Sequence, residues 1–142
     1  MRRVIWIALG VLVAVQLVPV PRDNPPVVAE IRAPTEVQRI FERACYDCHS
    51  NQTRWPWYSR LAPVSWLVAH DVKEGREHLN FSRWGELSAK DRAHAREEIG
   101  EVIEKGEMPP WFYLPLHPEA RLGSHDRELL RGWSEGLADP TG

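Results

Sequence analysis

Cys45-Tyr46-Asp47-Cys48-His49 decides the reading of this chain, because it holds both cysteines of the 142-residue sequence and ends in histidine. The spacing Cys-x-x-Cys-His is the attachment signature of c-type haem. Each thiol adds to one vinyl group of the porphyrin. The histidine directly after the second cysteine supplies the proximal imidazole to iron. Cys45, Cys48 and His49 therefore specify one covalent haem c, its orientation and one metal ligand. Two competing readings account for less. A disulfide or thioredoxin-like pair leaves His49 without a role. Such pairs also sit where a helix begins and its positive end lowers a thiol pKa, whereas here a helix is expected to end. A structural zinc site takes four Cys/His ligands, often with the cysteines in two pairs, and the chain has no second pair.

Working outward, helical periodicity dominates. Thr35 with Gln38 three residues on is a capping box, and Val37, Ile40, Phe41 and Ala44 recur at helical spacing up to Cys45. A second helix is expected from Pro63, with Val64, Leu67, Val68 and Val72 as its stripe, continuing past Gly75 to Leu79. A third starts at Ser88 with Asp91 as a weaker capping partner, buries Ile99, Val102 and Ile103, and stops at Gly106. A fourth is capped by Ser124 and carries Leu129, Leu130, Trp133 and Leu137. About four short helices with long aromatic loops predict an all-α domain. A flat cofactor is expected to fill the interior that such short helices cannot.

The ligand on the other face of the iron is sought next. Beyond Met1 the chain has one methionine, Met108, in Gly106-Glu107-Met108-Pro109-Pro110. A thioether suits haem iron and raises the reduction potential, and two prolines stiffen the loop. His117 is the alternative ligand, and an open or water-bound site is a third possibility. Methionine is more often core filler, but this one follows a helix stop. His70, His78, His94 and His125 lie among charged residues and read as solvated. After the cysteine motif comes Asn51-Gln52-Thr53-Arg54-Trp55-Pro56-Trp57-Tyr58-Ser59-Arg60. Trp55, Trp57 and Tyr58 are candidates to wall the porphyrin edge, and Arg54 and Arg60 to pair with its propionates. The competing reading makes the tryptophans ordinary core and the arginines surface charges. Trp84 and Trp133 read as packing.

The N-terminus begins Met1-Arg2-Arg3 and continues apolar from Val4 to Val20, broken only by Gln16. A basic start before such a run is a signal peptide or a short anchor. With no small-x-small cleavage site close behind it, residues 1–21 are read as an uncleaved single-pass anchor, with a cleaved signal as the alternative. Arg2 and Arg3 stay cytoplasmic under the positive-inside rule, which puts the rest on the periplasmic side of a bacterial inner membrane. Five of the twelve prolines fall between Pro19 and Pro34, so residues 22–34 are expected to be an extended linker. Residues 35–142 remain for one small domain with one core. From Asn24 onward, 15 Lys/Arg are intermixed with 19 Asp/Glu, a balance that argues against a nucleic-acid partner.

Taken together, Cys45 to Asn51, Thr53 to Ser59, Ala62-Pro63-Val64-Ser65-Trp66, Gly75-Arg76, Leu79-Asn80-Phe81-Ser82, Trp84 and Met108-Pro109-Pro110 closely resemble the bacterial haem-binding domain family. The resemblance runs from about residue 30 to 138. Tyr113, His117, Ala120 and the Leu122 region follow its downstream pattern, while Gly123-Ser124-His125-Asp126 departs from the serine and glutamate expected at that helix start. It implies a small cytochrome c-like domain wrapped around one covalent haem, found alone behind an anchor or fused to other redox domains. Single-electron transfer with a redox partner protein is the implied activity. A haem-based sensor or ligand-binding module is the rival from another class. A small peroxidase, which would need His117 as distal acid–base group, is the enzymatic one.

Overall fold

In the computed structural model, which describes residues 1–137, the chain forms six α-helices and no strand among the described residues. They are α1 (Arg2–Gln16), α2 (Thr35–Ala44), α3 (Tyr46–His49), α4 (Val64–His78), α5 (Ala89–Glu104) and α6 (Ser124–Ser134). Short 3-10 helices lie at Trp57–Arg60, Phe81–Glu86 and Pro118–Ala120. The all-α expectation holds, with α2, α4, α5 and α6 as the four anticipated helices and α3 added by the cysteine motif itself. Residues 138–142 of the expected domain lie outside the described residues.

The helix ends follow local chemistry, with two corrections. Ser88 caps α5 as expected, its Oγ accepting the Asp91 N–H at 3.1 Å. Gly106 stops that helix in the left-handed region at φ +70. There its N–H reaches the Ile103 carbonyl at 3.2 Å and the Glu107 N–H reaches Val102 at 2.9 Å. Thr35, however, is not a cap. Pro34 holds that position in extended conformation, and Gln38 donates to the Tyr46 hydroxyl at 2.7 Å. Nor does Ser124 cap α6: Gly123 does, its N–H donating to Asp126 Oδ2 at 2.9 Å.

Aromatic rings fill the interior. Phe41 and Phe81 stack at 4.8 Å, the Trp133 ring meets Phe41 edge-on at 5.1 Å, and Trp84 lies 6.0 Å from Trp133. Around them close Ile31, Val37, Ile40, Tyr46, Ile99, Ile103 and Leu130, all buried. Large rings thus reach volume that short helices leave open. Trp84 and Trp133 are packing residues, as expected. Two apolar assignments fail. Leu137 lies beyond α6 and is 79% exposed, and on α4 only Val72 of the stripe is buried, Leu67 being 63% exposed. That helix buries its small side instead, at Ser65, Val72 and Gly75.

The proline-rich segment is extended, as its composition requires, but it is a strap laid on the domain and not a free linker. Val28 and Ala29 donate to the Ser82 carbonyl at 3.1 and 3.0 Å, Ile31 donates to Phe81 at 2.9 Å, and Gly85 donates to Ala29 at 2.9 Å. Extended backbone leaves its own N–H and C=O groups unpaired, so the non-proline residues bond to a neighbouring segment. Ile31, 2% exposed, pins the strap to the core. The N-terminal run read as a single-pass anchor folds as α1. The helix stops at Gln16, because Pro19 keeps Val18 out of helical conformation. Its 15 residues span roughly 22 Å at about 1.5 Å each, short of a hydrocarbon core of about 30 Å. No helix among the described residues is long and apolar enough to cross a membrane.

A packed strap makes a stability prediction that a free linker does not. Ile31→Ala should cost about 2–4 kcal/mol in urea unfolding, as for other buried aliphatic truncations. Leu137→Ala should stay within about 0.5 kcal/mol. An Ile31→Ala value as small as that of Leu137→Ala would mean that the strap is not part of the cooperative fold.

Candidate functional site

The cysteine motif sits at a break between helices. Cys45 ends α2, its N–H on the Phe41 carbonyl at 2.9 Å, and its own carbonyl accepts the N–H groups of Cys48 at 3.2 Å and His49 at 2.9 Å. That single turn sets the two cysteines at i and i+3, which places them on one face. Both are free thiols. Burial pushes Cys45 up to about 12, its neighbour Cys48 adding to the rise and Arg43 opposing it. Cys48 is likewise pushed up to about 12, first by burial and then by Asp71 and Asp47. Both sulfurs therefore stay protonated at neutral pH, the opposite of the lowered pKa that a thioredoxin-like nucleophile needs.

His49 is oriented from behind. Its Nδ1 lies 3.1 Å from the Leu79 carbonyl oxygen. A carbonyl only accepts, so Nδ1 carries the proton and the Nε2 lone pair is left available, the arrangement by which a second contact presents imidazole to a metal. Burial lowers the pKa of the ring, against the Leu79 and Gly75 carbonyls that raise it, so the ring favours its neutral, ligating form. The turn lies directly on α4. A Cβ added at Gly75 would stand 2.7 Å from the Cys48 carbonyl oxygen, so glycine is what lets the two backbones meet.

Polar residues hold the following loop. Arg76 Nε donates to the Ser50 carbonyl at 2.8 Å and Nη2 to Thr53 Oγ1 at 2.9 Å, while Nη1 reaches back to Asp23 of the strap at 3.0 Å. Thr53 Oγ1 donates to the Asp47 carbonyl at 2.8 Å, and Asn80 donates to Asn51 Oδ1 at 2.8 Å. Of these residues, Arg76 and Asn80 entered the sequence reading only through the family resemblance, and Gly75 and Leu79 also in the reading of the second helix. The signal for them was the pairing of polar runs after the motif (Ser50-Asn51) and after α4 (Asn80 and Ser82), neither of which fits an apolar stripe.

The remaining expected site residues divide. Arg54 is engaged within the protein: its backbone N–H and guanidinium reach Asp47 at 2.9 and 3.3 Å, and Nη2 reaches the Glu42 carbonyl at 3.2 Å. Arg60 is exposed. Trp57 is 72% exposed. Trp55 is half-buried and lines a groove with Pro19, Pro21, Trp66, His70 and Arg76, and its buried Nε1 has no hydrogen-bond partner. Met108 lies in the loop after Gly106, 39% exposed. Both ring nitrogens of His117 are taken, Nε2 by the Tyr58 hydroxyl at 2.6 Å and Nδ1 by Glu119 at 3.1 Å. His70, His78, His94 and His125 are exposed, as expected. Among the described residues no group of three or more His, Cys, Asp or Glu side chains could hold a metal ion without a further ligand system.

This donor set fits a haem: two protonated thiols one turn apart, a neutral imidazole with a free Nε2, an orphaned buried indole N–H, and exposed apolar side chains on α4. The family model described as haem-binding domain matches residues 10–136, the strap included. No solved structure matches the chain.

Contact between Gly75 and Cys48 inverts an ordinary expectation. Glycine to alanine inside a helix stabilises by about 0.5–1 kcal/mol, and Gly132→Ala, with nothing within 4 Å of its Cβ, should do so. Gly75→Ala should instead destabilise, by on the order of 1–3 kcal/mol for overpacking. Thermal unfolding of the two variants side by side checks the opposite signs.

Proposed function

The chain belongs to the haem-binding domain family, and from that premise we propose that it is a monohaem, cytochrome c-like electron carrier. Cys45 and Cys48 attach the haem, His49 is the proximal ligand and Met108 the distal one. The observation that carries this reading is the Nδ1 contact of His49 with the Leu79 carbonyl at 3.1 Å, which aims the ring's free nitrogen from the same turn that bears both thiols. Each S–H would add across a vinyl C=C, sulfur to one carbon and hydrogen to the other, so that attachment would consume no oxidant or reductant. Bound haem supplies a one-electron iron couple, and a thioether ligand raises its potential.

The other residues act by holding and excluding. The orphaned indole N–H of Trp55 would be a donor for an acceptor on the bound group, and the exposed guanidinium of Arg60 would suit a propionate. Arg54 serves the Asp47 carboxylate, which supports a structural role for it over a propionate contact. Engagement of both His117 nitrogens favours Met108 as sixth ligand and disfavours a peroxidase with His117 as acid–base group. Haem attachment belongs to the extracytoplasmic side in bacteria, and Arg2-Arg3 before the exposed apolar residues of α1 supports association with the inner membrane, the domain facing the periplasm. The partner is then a redox protein that meets the domain there. A haem-based sensor is the second reading, favoured by the partial exposure of Met108.

Intact mass of the exported protein should exceed that of the bare chain by one haem, retained through acid–acetone extraction. Cys45→Ser with Cys48→Ser should remove it. In the oxidised spectrum, Met108→Ala should abolish the weak far-red band of sulfur ligation. It should also lower the reduction potential by on the order of 0.1 V, within the roughly 0.8 V range that axial ligands span. A bare chain mass in the mature wild type would sink the proposal.

A further inference from the structure

The loop that bears Met108 is tied back to the cysteine turn by contacts that neither attachment nor proximal ligation uses. Asp47 lies between the two cysteines, its side chain only 12% exposed. Its Oδ2 accepts from the Tyr113 hydroxyl at 2.9 Å, and its Oδ1 from the Arg54 backbone N–H at 2.9 Å. The Tyr113 ring lies flat on His117, centroids 3.9 Å apart and planes 5° from parallel. His117 in turn is held by Tyr58 at 2.6 Å. At its other end the loop leaves α5 through Gly106, with the Glu107 N–H on Val102 at 2.9 Å. Between these anchors Met108, Trp111 and Phe112 are exposed, so the loop's course is set at its two ends.

We propose that Asp47 and Tyr113 are positioning residues for the sixth ligand, their hydrogen bond holding the Met108 loop in register with the turn that carries His49. The inference rests on Met108 being the distal ligand. Because Asp47 sits inside the attachment motif, one short turn governs both faces of the iron. A hydroxyl donating to a carboxylate is a charge-assisted bond, stronger than a neutral one. Losing it frees the loop end and raises the entropy that sulfur ligation must overcome. Tyr113→Phe keeps the ring on His117 and deletes only the hydroxyl.

Imidazole titrated into the ferric holoprotein, with the far-red sulfur band and intact mass recorded, tests this in wild type, Tyr113→Phe, Asp47→Asn and Met108→Ala. Expected is haem still attached throughout, with the band weakened and imidazole affinity raised about tenfold in Tyr113→Phe and Asp47→Asn, the equilibrium value of one charged hydrogen bond. Met108→Ala should abolish the band. Affinity within twofold of wild type in both positioning variants, while Met108→Ala still responds, overturns this inference and leaves the ligand assignment standing. A response in Asp47→Asn alone would trace to Arg54 and also overturns it. No response in Met108→Ala overturns both readings. Should Asp47→Asn not mature, Tyr113→Phe decides alone.

Discussion

The contact between Gly75 on α4 and the carbonyl of Cys48 is the constraint on which the rest of the site depends. With a would-be Cβ only 2.7 Å from that oxygen, only hydrogen fits on the helix side, and the cysteine turn is pressed flat against α4. Four residues further, Leu79 ends the helix and turns its carbonyl to His49. Ring orientation, thiol burial and helix end thus follow from one close approach. Move α4 outward by the width of a methyl group and each would change together.

Around that contact, most of the buried polar groups lie outside the α-helices. Ser50, Asn51, Thr53, Ser59, Ser65 and Ser82 are all buried, and the bonds of Ser50, Asn51, Thr53 and Ser82 cross between segments far apart in sequence. Unpaired buried hydroxyls and amides are costly, so such a web permits few alternative loop courses. The aromatic cluster, whose Phe81 ring also meets His49 at 6.4 Å, supplies cohesion without specifying direction. Rings hold the helices together, while the polar web orients the attachment turn.

Much of this was legible in the chain. The motif, the runs that became α2, α4 and α5, the Ser88 cap and the Gly106 stop are local signals, and local chemistry realised them. Apart from the Thr35 and Ser124 caps, displaced by Pro34 and Gly123, what failed was long-range. Periodicity found an apolar stripe on α4, but only its Val72 is buried, because the close approach required the small residues instead. Proline content announced extended backbone but not that Ser82, more than fifty residues from Val28, would accept its N–H. Capture of His117 by Tyr58, 59 residues away, and of Arg54 by Asp47 left no mark that composition or spacing could carry.

The strap has a mechanical consequence. A loose thirteen-residue tether (22–34) of fully extended chain would let the domain wander over roughly 40 Å, sweeping a wide area in search of collisions. Bonded along its length, and with Gln16 and Ala62 exchanging hydrogen bonds at 3.1 and 3.0 Å, it locks the domain to the end of α1 like a bracket. Whatever fixes α1 therefore also fixes the heading of the attachment turn, so a visiting molecule must come to it from a set direction.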